Sequence, residues 1–143
     1  IAGSGPAEAS MRSLASEAGL AGRVQFMGRM SADDIPLIMN SSNVLLLPSH
    51  AEGVPNVLLE SQACGTPVVA SNVGGVPEVT TPLSARIYEP GDISGFAEGI
   101  CELVDRPPPR DQVKSVVASF SWRKSAEMLY EALRDAHADG KAA

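Results

Sequence analysis

Two glutamates flank the start of a helix predicted near the middle of the sequence. Glu52 lies in the loop before the helix, whereas Glu60 lies four residues after Asn56 and therefore on the same helix face. Pro55 stands at the helix start, so the first amides of the helix lack partners within it and point outward with the positive end of the helix dipole. Gly53 lets an anion approach the backbone closely. The segment therefore predicts a phosphate-binding site with a carboxylate on either side.

The two carboxylates indicate what else the ligand contains. An ionised carboxylate repels phosphate but accepts hydrogen bonds from a pair of sugar hydroxyls. A nucleoside diphosphate sugar has phosphates in the middle and hydroxyl-rich groups at both ends, and it fits this arrangement. Two glutamates at this spacing also occur by chance as solvated surface residues. Their place after a buried strand and at a helix N-terminus favours the binding interpretation.

The elements that position these residues alternate between strands and helices, which is typical of an α/β fold with a parallel sheet. Continuous apolar runs predict two strands buried on both faces, at 44–47 and 67–70. Shorter strands are predicted at 1–3, 24–27 and 86–88. Helices are predicted over residues 6–18, 31–41, 55–64, 92–104, 111–120 and 121–135. Right-handed crossovers place helices on both faces, so the sheet is doubly wound and binds ligands at the carboxyl ends of its strands.

Spacing also predicts helix caps and inward faces. Caps are predicted near Asp33 or Asp34, at Asp92 and at Ser121. The first helix is expected to present Met11, Leu14, Ala15 and Ala18. The helix after Asp92 is expected to turn Ile93, Phe96, Ala97, Ile100 and Val104 inward. The final helix is expected to turn Trp122, Ala126, Leu129, Tyr130 and Leu133 inward.

Composition excludes several classes of partner. The 143 residues suit one domain, and a formal net charge of −6 without a basic cluster argues against nucleic acid or an anionic membrane surface as a partner. Cys64 and Cys101 are too few for a disulfide framework, which predicts a reducing compartment, and both are expected in the core. No cluster has the spacing of metal ligands, and no apolar run is long enough to span a membrane.

Three other features have simpler interpretations. Gly3-Ser4-Gly5 resembles half of a dinucleotide fingerprint, but Glu8 replaces the third glycine, so a tight turn is the better interpretation. Gly74-Gly75 is expected either to let the backbone pass close to a ligand or neighbouring strand, or to form a surface turn. His50 is interpreted as a surface residue beside the cleft.

Several motifs together resemble the donor-binding domain of family 4 glycosyltransferases, which have the GT-B fold. They are Pro48-Ser49, Glu52-Gly53, Glu60, Ala63-Cys64-Gly65-Thr66-Pro67-Val68-Val69-Ala70 and Gly74-Gly75-Val76-Pro77-Glu78. The spacing of Glu, seven residues and Glu is that family's hallmark. Val24-x-Phe26-x-Gly28 and Phe120-Ser121-Trp122 are similar to its pattern as well. The resemblance covers nearly the whole chain and implies a Rossmann-like domain.

The resemblance implies retaining, metal-independent transfer of a sugar from a UDP-, GDP- or ADP-sugar to a glycan, lipid or small-molecule acceptor, without a cofactor. Glu52 would be catalytic, holding donor-sugar hydroxyls near the reacting carbon, and Glu60 would hold the ribose hydroxyls. The backbone expected to hold sugar and diphosphate is that of Gly53, Val54, Asn56, Val57 and Leu58. The backbone expected to frame the base is that of Gly28, Arg29 and Met30.

The family pattern extends beyond this sequence at its front end. It includes a preceding strand and helix, whose Arg and Lys neutralise the diphosphate, and an N-terminal domain that binds the acceptor. We therefore expect a C-terminal piece that is inactive alone, with a donor-binding domain at 1–106 and helices at 107–143 packed on it. The preceding strand would lie between those at Ile1 and Val44. A cytoplasmic location is expected, with peripheral membrane association of the longer protein left open.

Three alternatives remain beside this interpretation. A related GT-B epimerase or phosphorylase would differ around the second glutamate. A nucleotide-sugar-binding module without catalysis would lack an acceptor half. A doubly wound receiver domain would need an acidic phosphorylation pocket where Pro48-Ser49 stands, and it is therefore disfavoured.

Overall fold

A computed structural model describes residues 1–140. They form two compact units, Ile1–Ile38 and the described residues from Met39 onward. The helices are α1 (Glu8–Glu17), α2 (Asp34–Ser41), α3 (Asn56–Ala63), α4 (Ile93–Asp105), α5 (Arg110–Val117) and α6 (Trp122–Gly140), with a short 3₁₀ helix at Pro77–Val79. The strands are β1 (Leu45–Leu47), β2 (Val68–Ser71) and β3 (Ala85–Tyr88). The division into domains at 1–106 and 107–143 stays a prediction.

The second unit contains a parallel sheet in the order β1-β2-β3, which confirms the predicted α/β class. β2 is central and all of its residues are buried, as its unbroken apolar run predicted. On one face, Leu58 of α3 packs with Val68 and Ala70 of β2. α4 packs on the other face of the sheet, against Arg86 and Tyr88 of β3. Helices therefore cover both faces, and the sheet is doubly wound.

The predicted burial of the first strand on both faces is wrong. β1 is a terminal strand of the sheet, and Leu46 is 46% exposed. Leu45 and Leu47 pack against the core instead. Because strand side chains alternate, one side chain of the run faces away from the layer that covers the other two.

The inward face of α4 also differs from the prediction. Its buried residues are Gly95, Gly99 and Leu103, whereas Ile93 is 83% exposed. A Cβ at Gly99 would lie 2.8 Å from Cε2 of Tyr88, so only glycine lets the helix pack this closely on β3. Hydrophobic spacing cannot detect an inward face built from glycines. Both cysteines were predicted to lie in the core. Cys101, also on α4, is exposed, so its prediction is wrong, and Cys64 is only half-buried.

The predicted cap of α4 is confirmed, because the Asp92 side chain accepts a hydrogen bond of 2.9 Å from the Gly95 amide. We expect Asp92→Ala to lower the free energy of unfolding by about 1 kcal/mol, since one helix amide loses its partner. Urea unfolding of the two proteins measures the difference. Asp105→Ala, at the other end of the same helix, is the control and should change it by less than about 0.5 kcal/mol.

Prolines 107–109 precede α5, which buries Val113 and Val117 and packs on α3. The Ser121 hydroxyl accepts from the Lys124 amide at 3.2 Å, so the predicted cap of α6 is confirmed. The predicted inward face of α6 is wrong within the described residues, because its members Ala126, Leu129, Tyr130 and Leu133 are exposed. The prediction for the Trp122 side chain lies outside the described residues. An amphipathic pattern predicts that a face will pack, but not that this chain supplies its partner.

In the first unit, Gly19 (φ 70°) ends α1 as predicted. None of the helix is buried, including its predicted apolar face. The predicted strands at 1–3 and 24–27 are wrong: isolated bridges join Gly28 to Ala2 and Gly3, and neither segment forms a regular strand. The cap of α2 was predicted near Asp33 or Asp34, but the capping side chain is Ser31, whose hydroxyl accepts from the Asp34 amide at 3.1 Å.

No helix within the described residues is both long and apolar enough to cross a membrane.

Candidate functional site

The loop between β1 and α3 presents a row of backbone amides at the start of α3. The row comprises the amides of Gly53, Val54, Asn56 and Val57, for which no hydrogen-bond partner is found within the described residues. Gly53, Val54 and Asn56 are exposed, and Val57 is half-buried. No Lys or Arg occurs between residues 48 and 64, so the positive potential here comes from the amides and the dipole of the eight-residue helix.

Leu58 departs from its expected role as an amide donor. Its N–H donates to the Pro55 carbonyl at 3.1 Å, and its side chain is completely buried in the core. Pro55 adopts an extended backbone (φ −74°, ψ 117°), and its carbonyl is thereby available to the first turn. Leu58 anchors the helix to the sheet, and the row of free amides ends at Val57.

Glu52 is half-buried in this loop, and Ser49 holds its carboxylate. The Ser49 hydroxyl donates to Oε1 of Glu52 over 2.6 Å. A hydroxyl has a single proton to donate, so Oε2 and the remaining lone pairs of Oε1 stay available to an external donor. Sequence reasoning quoted Ser49 only as part of a motif, because the type of a loop residue does not reveal its partner.

Glu60 is exposed and lies in a groove of about 460 Å³ along α3. The groove is lined by Asn56, Leu59, Glu60, Ala63, Val117, Phe120, Ser121 and Ser125. Asn56 and Glu60 share this wall, as their spacing predicted. Ser121 and Ser125, one helical turn apart, also line the groove. Ser121 was predicted only as a helix cap, and Ser125 was not predicted as a site residue.

The close backbone approach predicted for Gly74 and Gly75 is confirmed, and the neighbour is the loop at 52–54. Gly75 donates its N–H to the Gly53 carbonyl at 2.7 Å. Gly74 lies against the Glu52 carbonyl, where an added Cβ would overlap the oxygen. His50 is exposed, as expected.

The three residues expected to frame a base belong to the first compact unit. Gly28 is half-buried with a φ of 66°, Arg29 is exposed and Met30 is half-buried. The Gly28 carbonyl accepts from the Gly3 amide at 2.7 Å. Their role toward a base stays a prediction.

The resolved pKa shifts lie on the α4 side of the sheet. A hydrogen bond from Arg86, in an ion pair of 2.7 Å, lowers the pKa of the Glu102 carboxyl and raises that of Arg86. Burial raises the pKa of Tyr88. Arg86 also donates to the carbonyls of Pro82 and Ala85. Its ion pair with Glu102 joins β3 to α4. No group of three or more potential metal ligands occurs within residues 1–140.

Comparison with known proteins gives consistent matches. The family model described as "Glycosyl transferases group 1" matches residues 1–117. A GDP-mannose-dependent monoacylated alpha-(1-6)-phosphatidylinositol monomannoside mannosyltransferase of Corynebacterium glutamicum is 32% identical over 94% of this chain. The chain spans only 38% of that relative's length.

Solved structures show the same fold. The apo form of the lipopolysaccharide outer core galactosyltransferase WaaB superposes with a TM-score of 0.84 at 23% identity, over 94% of this chain and 40% of that one. Anabaena HepE in complex with UDP-glucose gives 0.78 at 23% identity, over 94% and 40%. This chain therefore spans less than half the length of either of these proteins.

Proposed function

Since this chain belongs to the group 1 glycosyl transferases, whose structural neighbours have the GT-B fold, we propose that it is the nucleoside diphosphate sugar-binding part of a longer glycosyltransferase. The observation that carries the proposal is the row of free amides at the start of α3, with Glu52 before it and Glu60 after it. A row of amides takes an anion, and carboxylates take hydroxyls.

The diphosphate binds at the N-terminus of α3. The amides of Gly53, Val54, Asn56 and Val57 donate to its oxygens, and the helix dipole adds to the attraction. Glu60 accepts hydrogen bonds from the ribose hydroxyls. It lies about 6 Å along the helix axis from Asn56, a distance that a single nucleotide can span.

The donor sugar lies on the other side of the diphosphate, at Glu52. Its hydroxyls donate to the carboxylate oxygen that Ser49 leaves free. In this position Glu52 lies near the reacting carbon and stabilises positive charge that develops there as the bond to the diphosphate breaks. The backbone amides stabilise the negative charge on the leaving diphosphate. We propose that transfer retains the configuration of the sugar. We also propose that it needs no metal ion, because the amides and the helix dipole stabilise the negative charge of the leaving group.

The relatives and structural neighbours indicate which nucleotide sugars are candidate donors. One relative's name specifies GDP-mannose, and one structural neighbour holds UDP-glucose, so we propose a UDP-, GDP- or ADP-sugar as donor. The acceptor, a glycan, lipid or small molecule, binds outside this chain. Two cysteines are too few for a disulfide framework, and together with a nucleotide-sugar donor they favour a reducing compartment. We propose the cytoplasm, with the longer protein peripheral to a membrane if its acceptor is a lipid.

A thermal-shift series tests donor binding. We expect one of UDP, GDP and ADP to raise the melting temperature of the full-length protein. At 100 times its Kd, the bound nucleotide should add about 2.7 kcal/mol to the free energy of unfolding. The shift should persist in EDTA and should shrink in Glu60→Gln. Glu98→Gln, which changes an exposed glutamate of α4, is the control and should leave it unchanged. Failure of all three nucleotides to shift the transition would contradict the proposal.

A further inference from the structure

Glu52 is supported by residues from two different loops. Within its own loop, the Ser49 hydroxyl fixes Oε1 of the carboxylate at 2.6 Å. In the loop after β2, Gly74 lies against the Glu52 carbonyl, and the Gly75 amide donates a hydrogen bond to the Gly53 carbonyl. The side chain and the backbone of Glu52 are therefore held independently.

The contact at Gly74 and Gly75 leaves no room for a side chain. A Cβ at Gly74 would overlap the Glu52 carbonyl oxygen and lie 2.8 Å from its carbon. A Cβ at Gly75 would lie 2.6 Å from Cγ2 of Val54 and 2.9 Å from the Gly53 carbonyl oxygen. Because the atoms in the way are mostly backbone, any larger residue must push the loop at 52–54 away.

The supporting loop is itself anchored to α3. It leads into the 3₁₀ helix Pro77–Val79. Val76, just before this helix, and Val79 within it are both buried in the core. The buried Gln62 amide donates to the Val79 carbonyl at 2.9 Å and to the Leu58 carbonyl at 3.0 Å. The helix that carries Asn56 and Glu60 is thus joined to the loop that supports Glu52.

We propose that Ser49 and Gly74 are positioning residues that hold the Glu52 carboxylate in its reactive place relative to α3. The inference rests on the proposed function, in which Glu52 faces the donor sugar. Ser49 determines which carboxylate oxygen of Glu52 faces the ligand. Gly74 determines how closely the loop at 52–54 approaches the loop after β2. A displacement of about 1 Å at a reacting group can lower a rate by about a hundredfold.

The test for Gly74 is Gly74→Ala in the full-length protein, with Gly91→Ala as a matched control. Both glycines have positive φ, 52° and 86°, so both substitutions place a side chain in a conformation that L residues rarely adopt, and the control is strained at least as much. Only Gly74 has a neighbour, since nothing lies within 4 Å of a Cβ at Gly91. We expect kcat to fall about a hundredfold in Gly74→Ala and less than about twofold in Gly91→Ala.

Ser49→Ala keeps the test decisive if Gly74→Ala does not fold, because it removes an oxygen without moving the backbone. We expect kcat to fall between about tenfold and about a hundredfold, the effect of one hydrogen bond to a charged group, and Ser49→Thr to restore most of it. The Kd of the nucleoside diphosphate alone should stay within about twofold, since that ligand does not reach Glu52.

The outcomes separate this inference from the proposed function. If wild type transfers sugar and Ser49→Ala and Gly74→Ala match it in kcat, the positioning roles are wrong while the proposed function stands. If Ser49→Ala weakens nucleoside diphosphate binding as much as it lowers kcat, Ser49 supports the whole loop rather than the carboxylate, and the inference is overturned. If wild type binds no nucleotide, the proposed function fails, and this inference fails with it.

Discussion

Glu52→Gln in the full-length protein should lower kcat by about 10² to 10³ while leaving the Kd of the nucleoside diphosphate within about twofold. The substitution keeps the shape of the side chain and removes the charge that the proposed mechanism places near the reacting carbon. The amides that take the diphosphate are untouched. Steady-state kinetics with a nucleotide sugar, together with titration of the nucleotide alone, measure the two effects separately.

Two further variants give the comparison its meaning. Glu60→Gln should weaken nucleotide binding and leave kcat at saturating donor nearly unchanged, because the ribose contact is made equally in the ground state and the transition state. Glu98→Gln should change neither quantity. The proposed division of roles is wrong if Glu52→Gln retains turnover, or if both site variants lower kcat and affinity in the same proportion.

Leu58→Ala should lower the free energy of unfolding by about 2 to 5 kcal/mol. The side chain is fully buried between β2 and the 3₁₀ segment, so truncation removes apolar contacts and leaves a cavity. Because Leu58 anchors the helix whose N-terminus presents the free amides, nucleotide binding should weaken as well. Chemical denaturation and nucleotide titration of the same protein measure both.

The control for Leu58→Ala is Leu83→Ala, which truncates a leucine that is 54% exposed before β3. It should change the unfolding free energy by less than about 0.5 kcal/mol. Equal destabilisation by the two substitutions would mean that the core is not organised around α3 and β2.

The sequence was most informative where a pattern had a single structural solution. The apolar run at 67–70 does not alternate with polar residues, and it supplies most of the buried central strand Val68–Ser71. The Glu52–Glu60 spacing and Pro55 located the helix start, because proline is compatible with that position and carries no N–H to lose. Asp92 was identified as a cap for a similar reason, because an aspartate side chain can accept a hydrogen bond from the amide three residues later whatever the rest of the fold.

The failures share a different cause, since they depend on what lies opposite a residue. The buried face of α4 consists of Gly95 and Gly99 under the Tyr88 ring, and no scale of hydrophobicity selects glycines. The amide of Leu58 was expected to face a ligand, but the Pro55 carbonyl accepts it. Ser49 was unremarkable as a loop serine until its partner, Glu52, was known. Residue type and hydrophobic spacing do not specify which partner a given amide, hydroxyl or helix face will contact.

The terminal position of β1 has a consequence for handling the chain in solution. Its three leucines carry no charge, and the middle one faces solvent. A strand at the end of a sheet can pair with a strand of another molecule, and an uncharged apolar strand favours such pairing. Pro48 follows directly and keeps the segment short, because proline cannot donate to a ladder. Leu45–Leu47 is therefore one segment through which the isolated chain can self-associate at high concentration, and Leu46→Lys should weaken pairing at this strand.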